Sequence, residues 1–168
     1  MIRQFFTDTG WGEIDYLLVD LPPGTGDAQI TIIEAVPLIG AVIVTTPQDV
    51  AILDSKKGLT MFQKANVEVL GVVENMSYLI QQDGTKLHLF GEGGGHKLAE
   101  LLNVPFLGEV PINPEIAKFA DKGQPIVIAD PECAQAKAYN DIAQKLTATI
   151  CQRGVDELLN EAKEPALV

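Results

Sequence analysis

The stretch Asp20-Leu21-Pro22-Pro23-Gly24-Thr25-Gly26-Asp27 gathers residue types that handle phosphate and a divalent cation. Its acid follows the apolar run Tyr16-Leu17-Leu18-Val19, which reads as a buried strand, and precedes Ala28–Val36, which reads as a helix. The spacing predicts a carboxylate at the carboxyl end of a strand, the edge where open α/β sheets bind ligands. A lone carboxylate there suits hydrated Mg²⁺, which keeps most of its waters. Gly24 and Gly26 have no side chains, so a phosphate can approach their backbone N–H groups. Asp20 therefore reads as the acid of a nucleotide-hydrolysing site. A strand-to-helix turn with a capping Asp is the plainer alternative, but Pro-Pro-Gly-Thr-Gly-Asp is richer than such a turn needs.

The remaining chain supplies elements to hold that site. Met1–Thr9 reads as a helix with Ile2, Phe5 and Phe6 on one face, and Ile14–Val19 as the first strand. Asp27 is the N-cap or first-turn acid of the next helix, which Pro37 ends. Gly40–Thr46 is a second strand, Val50–Ala65 a long helix, and Glu68–Asn75 a third strand. Leu79-Ile80 and Leu87–Phe90 flank an Asp83-Gly84 turn and read as a β-hairpin. Gly91–Gly95 reads as a flexible link and His96–Leu102 as a short helix. Pro105–Val110 is a fourth strand, stopped by Pro111. Pro114–Lys122 and Ala134–Cys151 are helices, the latter with Ala138, Ile142, Leu146 and Ile150 on one stripe. Alternating strands and helices predict an α/β fold, a mostly parallel sheet flanked by helices with a small β-hairpin insertion. Residues 1–152 form one domain, and 153–168 an acidic, fraying tail.

Composition narrows the function classes. The chain has 168 residues, 46% hydrophobic and 6% aromatic, which suits one domain with an aliphatic core. A net charge of −11 argues against nucleic acid as a partner, since such binding needs a basic surface. Apolar runs fall well short of the roughly 18–20 residues of a membrane span. Met1–Phe6 lacks the features of a signal peptide. Two distant cysteines, Cys133 and Cys151, make no disulfide framework, so a cytoplasmic location is expected.

A phosphate cradle of the form G-x-x-x-x-G-K-[ST] is not found in the sequence. Gly91-Glu92-Gly93-Gly94-Gly95-His96-Lys97 comes nearest but lacks the Ser/Thr and follows a hairpin. Half of a nucleotide site is thus visible without its other half.

The segments DYLLVDLPPGTGD (Asp15–Asp27), GAVIVTTPQDVAILDSKK (Gly40–Lys57), GVVENMS (Gly71–Ser77), FGEGGGHKL (Phe90–Leu98) and FLGEVPINPE (Phe106–Glu115) run in one order along the chain. Together they resemble the Mrp/ApbC branch of the deviant P-loop ATPases, iron–sulfur cluster carriers related to MinD and ParA. The resemblance implies a P-loop NTPase-like fold, incomplete at the amino end, where the family carries its P-loop with a signature Lys. It implies ATP and Mg²⁺ as cofactors of the complete protein. Asp20 would meet Mg²⁺ through water and Gly24 the γ-phosphate, as the catalytic residues. Asn75 would hydrogen-bond adenine, and Pro111 would border the base. An Asn carboxamide offers donor and acceptor together, as adenine's edge does.

Many members carry C-x-x-C after ENMS, where paired subunits hold a [4Fe-4S] cluster. This chain has Tyr78-Leu79-Ile80-Gln81-Gln82-Asp83-Gly84 instead, so a cluster is implied by resemblance alone, with no iron–sulfur ligands assigned. Cys133 and Cys151 read as ordinary small residues, and His88 and His96 as surface or satisfied side chains. The leading expectation is a cluster-assembly ATPase, present as a truncated form unable to hydrolyse ATP alone. It would act as a homodimer, with iron–sulfur apo-proteins or scaffold proteins as partners and no nucleic acid or membrane. The alternatives are a non-catalytic interaction module pairing with itself or with a full-length ATPase, and, more weakly, a MinD/ParA-like positioning ATPase.

Overall fold

A twelve-residue strand, β2 (Val69–Ile80), runs through the middle of a four-stranded sheet in the computed structural model. The structure describes residues 2–22, 24 and 26–161, with side chains for residues 4–22, 24 and 26–155. β1 (Ala41–Thr45) and β4 (Phe106–Ile112) lie on either side of β2, both parallel to it. β3 (Lys86–Leu87) folds back antiparallel onto Leu79 and Ile80. The helices are α1 (Ile2–Thr7), α2 (Asp27–Ala35), α3 (Asp49–Lys64), α4 (Gly94–Leu102), α5 (Pro114–Ala120), α6 (Ile126–Ala129) and α7 (Ala134–Glu161). The expected α/β architecture with a mostly parallel sheet and a small hairpin is present.

Both faces of the sheet are covered, which explains the nearly continuous apolar run of β2. On one face Ile43 and Val72 pack against Leu98 and Ala99 of α4, with Ile52 and Leu59 of α3 beside them. On the other, Val73, Leu107 and Val110 meet Ile142 and Leu146, part of the stripe read from the sequence of α7. A third cluster joins Ile33 of α2, Ala41 of β1 and Phe62 of α3.

Several elements differ from the sequence reading. Residues 14–19 form no strand, and Ile14, Tyr16, Leu17 and Leu18 are exposed, Leu18 to 84%. A strand exists through its ladder, and among the described residues this segment has no paired neighbour. Asp20 therefore follows an irregular segment, not a strand end. α1 forms, with Phe5 exposed and Phe6 partly covered, while the side chain of Ile2 lies outside the described residues. β4 runs through Pro111 to Ile112 instead of stopping there. α7 continues past Cys151 to Glu161, so residues 153–161 are helical, while 162–168 of the expected tail lie outside the described residues. Short α6 has no periodic signal and escaped sequence reading.

The hairpin turn matches its Asp-Gly signature. Gly84 sits at φ +83°, and its N–H donates to the Gln81 carbonyl at 3.0 Å. The Asp83 carboxylate accepts from the Thr85 hydroxyl at 2.6 Å and the Thr85 N–H at 2.9 Å. The Thr85 side-chain hydrogen bond first, and its backbone one second, hold the Asp83 carboxyl below its ordinary value.

Two outcomes test these contacts. Leu98→Ala, at a fully buried position, should cost about 2–5 kcal/mol in urea unfolding. For Asp83 the folded value is the lowered one, so its contribution is complete above the usual Asp range and fades as pH falls through the lowered value. The Thr85 amide should then exchange more slowly than in an Asp83→Ala reference above the usual Asp range, and this excess protection should vanish as pH falls, once intrinsic rates are corrected.

Candidate functional site

At the carboxyl end of β1, beside Asn75 in the middle of β2, which runs on to Ile80 instead of ending at Asn75, lies an open cavity of about 310 Å³. Thr45 and Thr46 close β1, Ala51, Asp54 and Ser55 face it from α3, and Asn75 enters from β2. This is the sheet edge where parallel α/β folds place ligands. Ala51, Asp54 and Ser55 stand at i, i+3 and i+4, so one face of α3 makes a wall. Ser55 Oγ donates to the Ala51 carbonyl at 2.9 Å, and Asp54 accepts from Lys57 at 2.8 Å. Thr46 Oγ1 is hydrogen-bonded to Gln48.

Asn75 is aimed by a break in the sheet. It pairs with Val110, whereas Leu79 pairs with Ile112, so Met76, Ser77 and Tyr78 stand against Pro111 alone. Such a bulge re-aims side chains and bends the strand. Met76 takes the left-handed conformation at φ +54°, and its N–H donates to Asn75 Oδ1 at 2.9 Å. Ser77 is 1% exposed, and its hydroxyl donates to the Glu74 carbonyl at 2.9 Å. Pro111 tolerates its strand position because it faces the bulge, where a missing N–H breaks no ladder bond. It is buried beneath the bulge and does not line the cavity.

Asp20 and Gly24 are elsewhere. Neither lines this cavity, and both are exposed. Gly24 has φ +94°, which favours glycine at that position. The turn is held by Gln29 of α2, 4% exposed, whose Nε2 donates to the Pro22 carbonyl at 3.0 Å. Pro23 and Thr25 of the motif lie outside the described residues. The structure thus gathers Asn75 with threonines and α3 polar groups, and does not bring Asp20 and Gly24 to the same cavity. Asp54 and Ser55 were missed in sequence reading. Their signal is the i, i+3, i+4 spacing from Ala51 in the first turns of a helix that starts at a strand end.

The glycine-rich segment is also not a flexible link. α4 starts at Gly94, and Gly94 and Gly95 are buried. The Gly94 Cα lies so close to the Pro47 carbonyl that a side chain has no room. The Gly95 N–H donates to Glu74 Oε2 at 2.5 Å.

Among the described residues, no group of three or more His, Cys, Asp or Glu side chains could hold a metal ion. Cys133 stands just before α7, where its sulfur accepts from the Ala136 N–H at 3.3 Å, and Cys151 is exposed further along the helix. At 1.5 Å rise per residue they are separated by roughly 27 Å, too far to share a ligand. His96 stacks on Phe106 with ring centroids 3.7 Å apart. His88 lies 5.9 Å from the Tyr78 ring and 3.8 Å from Glu92, and its Nδ1 is buried without a hydrogen-bond partner among the described residues. No described helix is long and apolar enough to cross a membrane.

This sheet, its crossover helices and the ligand edge define a P-loop NTPase of the MinD-like α/β type. The family profile described as ParA, NUBPL iron-transfer P-loop NTPase matches residues 1–147, and the chain belongs to that family. An iron–sulfur cluster carrier protein of Synechocystis is 53% identical over 152 residues, covering 89% of this chain and 43% of the relative. Another, from Deinococcus radiodurans, is 51% identical over 158 residues, covering 94% of this chain and 45% of the relative. The chain therefore spans less than half the length of these relatives. A nucleotide-binding protein of Archaeoglobus fulgidus, solved in complex with ADP, superposes with a TM-score of 0.68 at 41% identity, over 79% of this chain and 54% of that one.

The bulge has a direct test. Ser77→Ala leaves the buried Glu74 carbonyl without its partner and should lower stability by about 1–3 kcal/mol, read from the urea midpoint at unchanged m-value.

Proposed function

We propose that this chain is the carboxyl-terminal part of an ATP-binding iron–sulfur cluster carrier and carries the base-binding end of its nucleotide site. The supporting observation is Asn75, held by the bulge at a strand-end cavity whose other walls are Thr45, Thr46, Asp54 and Ser55. With Oδ1 fixed by the Met76 N–H, its Nδ2 is the donor suited to a ring nitrogen of adenine, and Oδ1 retains a second lone pair for adenine's amino group. Pro111, beneath the same bulge, borders the base by shaping it. Asp20 is an exposed carboxylate in a glycine-containing turn, chemistry that suits water-mediated Mg²⁺. Gly24, at positive φ, is the backbone position for the γ-phosphate. When bound, Mg²⁺ neutralises phosphate charge, and phosphoryl transfer then relies on positioning.

Residues 1–152 act as part of one ATPase domain. Because no phosphate cradle stands in the sequence, the chain alone binds nucleotide weakly and does not turn it over. The [4Fe-4S] cluster is cargo of the complete, homodimeric carrier, passed to apo-protein clients in the cytoplasm. The described residues of this chain offer it no set of thiolates.

A second reading, an interaction module pairing with itself or with a full-length ATPase, has its own support. Val44, Val50 and Leu53 are 61%, 72% and 58% exposed, and β1 is paired on one side only among the described residues. Apolar surface beside an open strand edge favours association.

Calorimetry and a phosphate-release assay on the chain alone separate these readings. Weak ADP binding, competed by adenosine and lost in Asn75→Ala, with turnover at background, is the expected result. Mg²⁺-dependent turnover abolished by Asp20→Ala would overturn the non-hydrolysing assignment. Absence of any nucleotide binding, with self-association in sedimentation, would transfer support to the interaction module.

A further inference from the structure

Glu74 is 1% exposed, and a carboxylate so deeply placed is costly unless it is hydrogen-bonded. Its partner is the Gly95 N–H, 21 residues away in sequence at the head of α4, where the helix dipole favours negative charge. The fit leaves little slack. A Cβ on Gly95 would stand 2.7 Å from Glu74 Cβ, so the side chain is pinned against the helix.

The preceding glycine, Gly94, presses on Pro47, the residue after Thr46. One dipeptide thus touches both strands that border the cavity: Gly94 braces the β1 side, and Gly95 binds the β2 side through Glu74. Asn75 is the next residue along β2. Backward it is anchored by Glu74, whose side chain holds Gly95 and whose carbonyl holds Ser77. Forward it joins Met76 in its left-handed conformation.

We propose that Glu74 is the positioning residue for Asn75: its buried carboxylate, by accepting the Gly95 N–H, sets the aim of the Asn75 carboxamide into the cavity. This rests on the base-binding reading of Asn75, and the test keeps the two separable. Glu74 touches no ligand and acts only through Gly95 and the bulge.

Two substitutions of similar length isolate the bond. Glu74→Gln keeps an oxygen that can accept the Gly95 N–H, and Glu74→Met fills the space without one. Nuclear magnetic resonance on the full chain gives three readouts: Gly95 amide exchange, the Asn75 side-chain amide resonances, and their response to adenosine against guanosine. Adenosine has no phosphates, so it probes the base end alone. In Glu74→Met the Gly95 amide should exchange about tenfold faster, the order of one lost hydrogen bond. The Asn75 amide resonances should move in the free chain, and the adenosine preference should disappear. Glu74→Gln should stay within about threefold of wild type on the same scale.

A folded Glu74→Met chain with wild-type Asn75 resonances and adenosine preference overturns the proposal. Equal losses in both variants also overturn it, because the acceptor would then not be what matters. A wild-type chain indifferent to adenosine defeats the base-binding reading. Positioning is then decided on the free chain, where Asn75 and Gly95 must still shift in Glu74→Met and not in Glu74→Gln.

Discussion

The structure depends on β2 being hydrogen-bonded along both edges. Its first half pairs in parallel with β1 and β4, and its apolar residues are covered by α3 and α4 on one side and α7 on the other. That pairing fixes where the strand ends, and the bulge begins where β1 stops, at the register Thr45↔Glu74. Past that point β2 has β4 on one side and only the short β3 on the other. The last residue paired with both β1 and β4 is thus the buried acid, and the next is the carboxamide at the cavity. Regular structure carries the chain to the site, and its controlled failure there turns a side chain into the opening.

What was legible in the sequence follows from what each signal measures. β1, α3 and the start of β2 were found because runs buried on both faces and helical periodicity are properties of a segment by itself. Ile14–Val19 has an equally apolar run, yet strand pairing is a relation between segments and no periodicity encodes it. Pro111 read as a stop because proline lacks an N–H. That matters only where a neighbour needs the donor, and the bulge across from it needs none. Gly91–Gly95 read as flexible because glycine is permissive, but the same lack of a side chain serves close packing. Pro47 and Glu74 fill the space that side chains on Gly94 and Gly95 would occupy.

The site was legible in uneven parts. Asn75 was singled out through resemblance, because an Asn at a strand end is otherwise a common turn residue. Its orienting bonds from Met76 and within the bulge need three-dimensional register. Asp54 and Ser55 drew no reading beyond their place in a long helix, and only the placement of α3 over the end of β1 makes them a wall. The turn at Asp20–Asp27 was singled out for its residue types, which carry no information about what it faces, and the structure sets it away from the cavity. Its anchor Gln29 carries no motif, only burial within α2.

The route between Glu74 and Gly95 gives the hairpin its meaning. After Glu74 the chain forms the bulge, continues β2 to Ile80, turns at Asp83-Gly84, pairs back through β3 and returns to hydrogen-bond Glu74. It is a closed loop with its ends tied at the base by the Glu74–Gly95 bond and by the start of α4. For such a loop the entropic cost of closure grows only slowly with length. Composition can therefore change along it without moving the cavity, so long as Glu74, Gly94 and Gly95 keep their contacts. Tyr78–Gly84 illustrates the freedom: Gln81 and Asp83 spend their polar groups on the Thr85 hydroxyl, and Lys86 lies over the Tyr78 ring 3.8 Å from its centre. These contacts are internal to the hairpin and make none of the cavity wall. An excursion tied at a fixed base leaves the contacts at the sheet edge independent of what the hairpin carries.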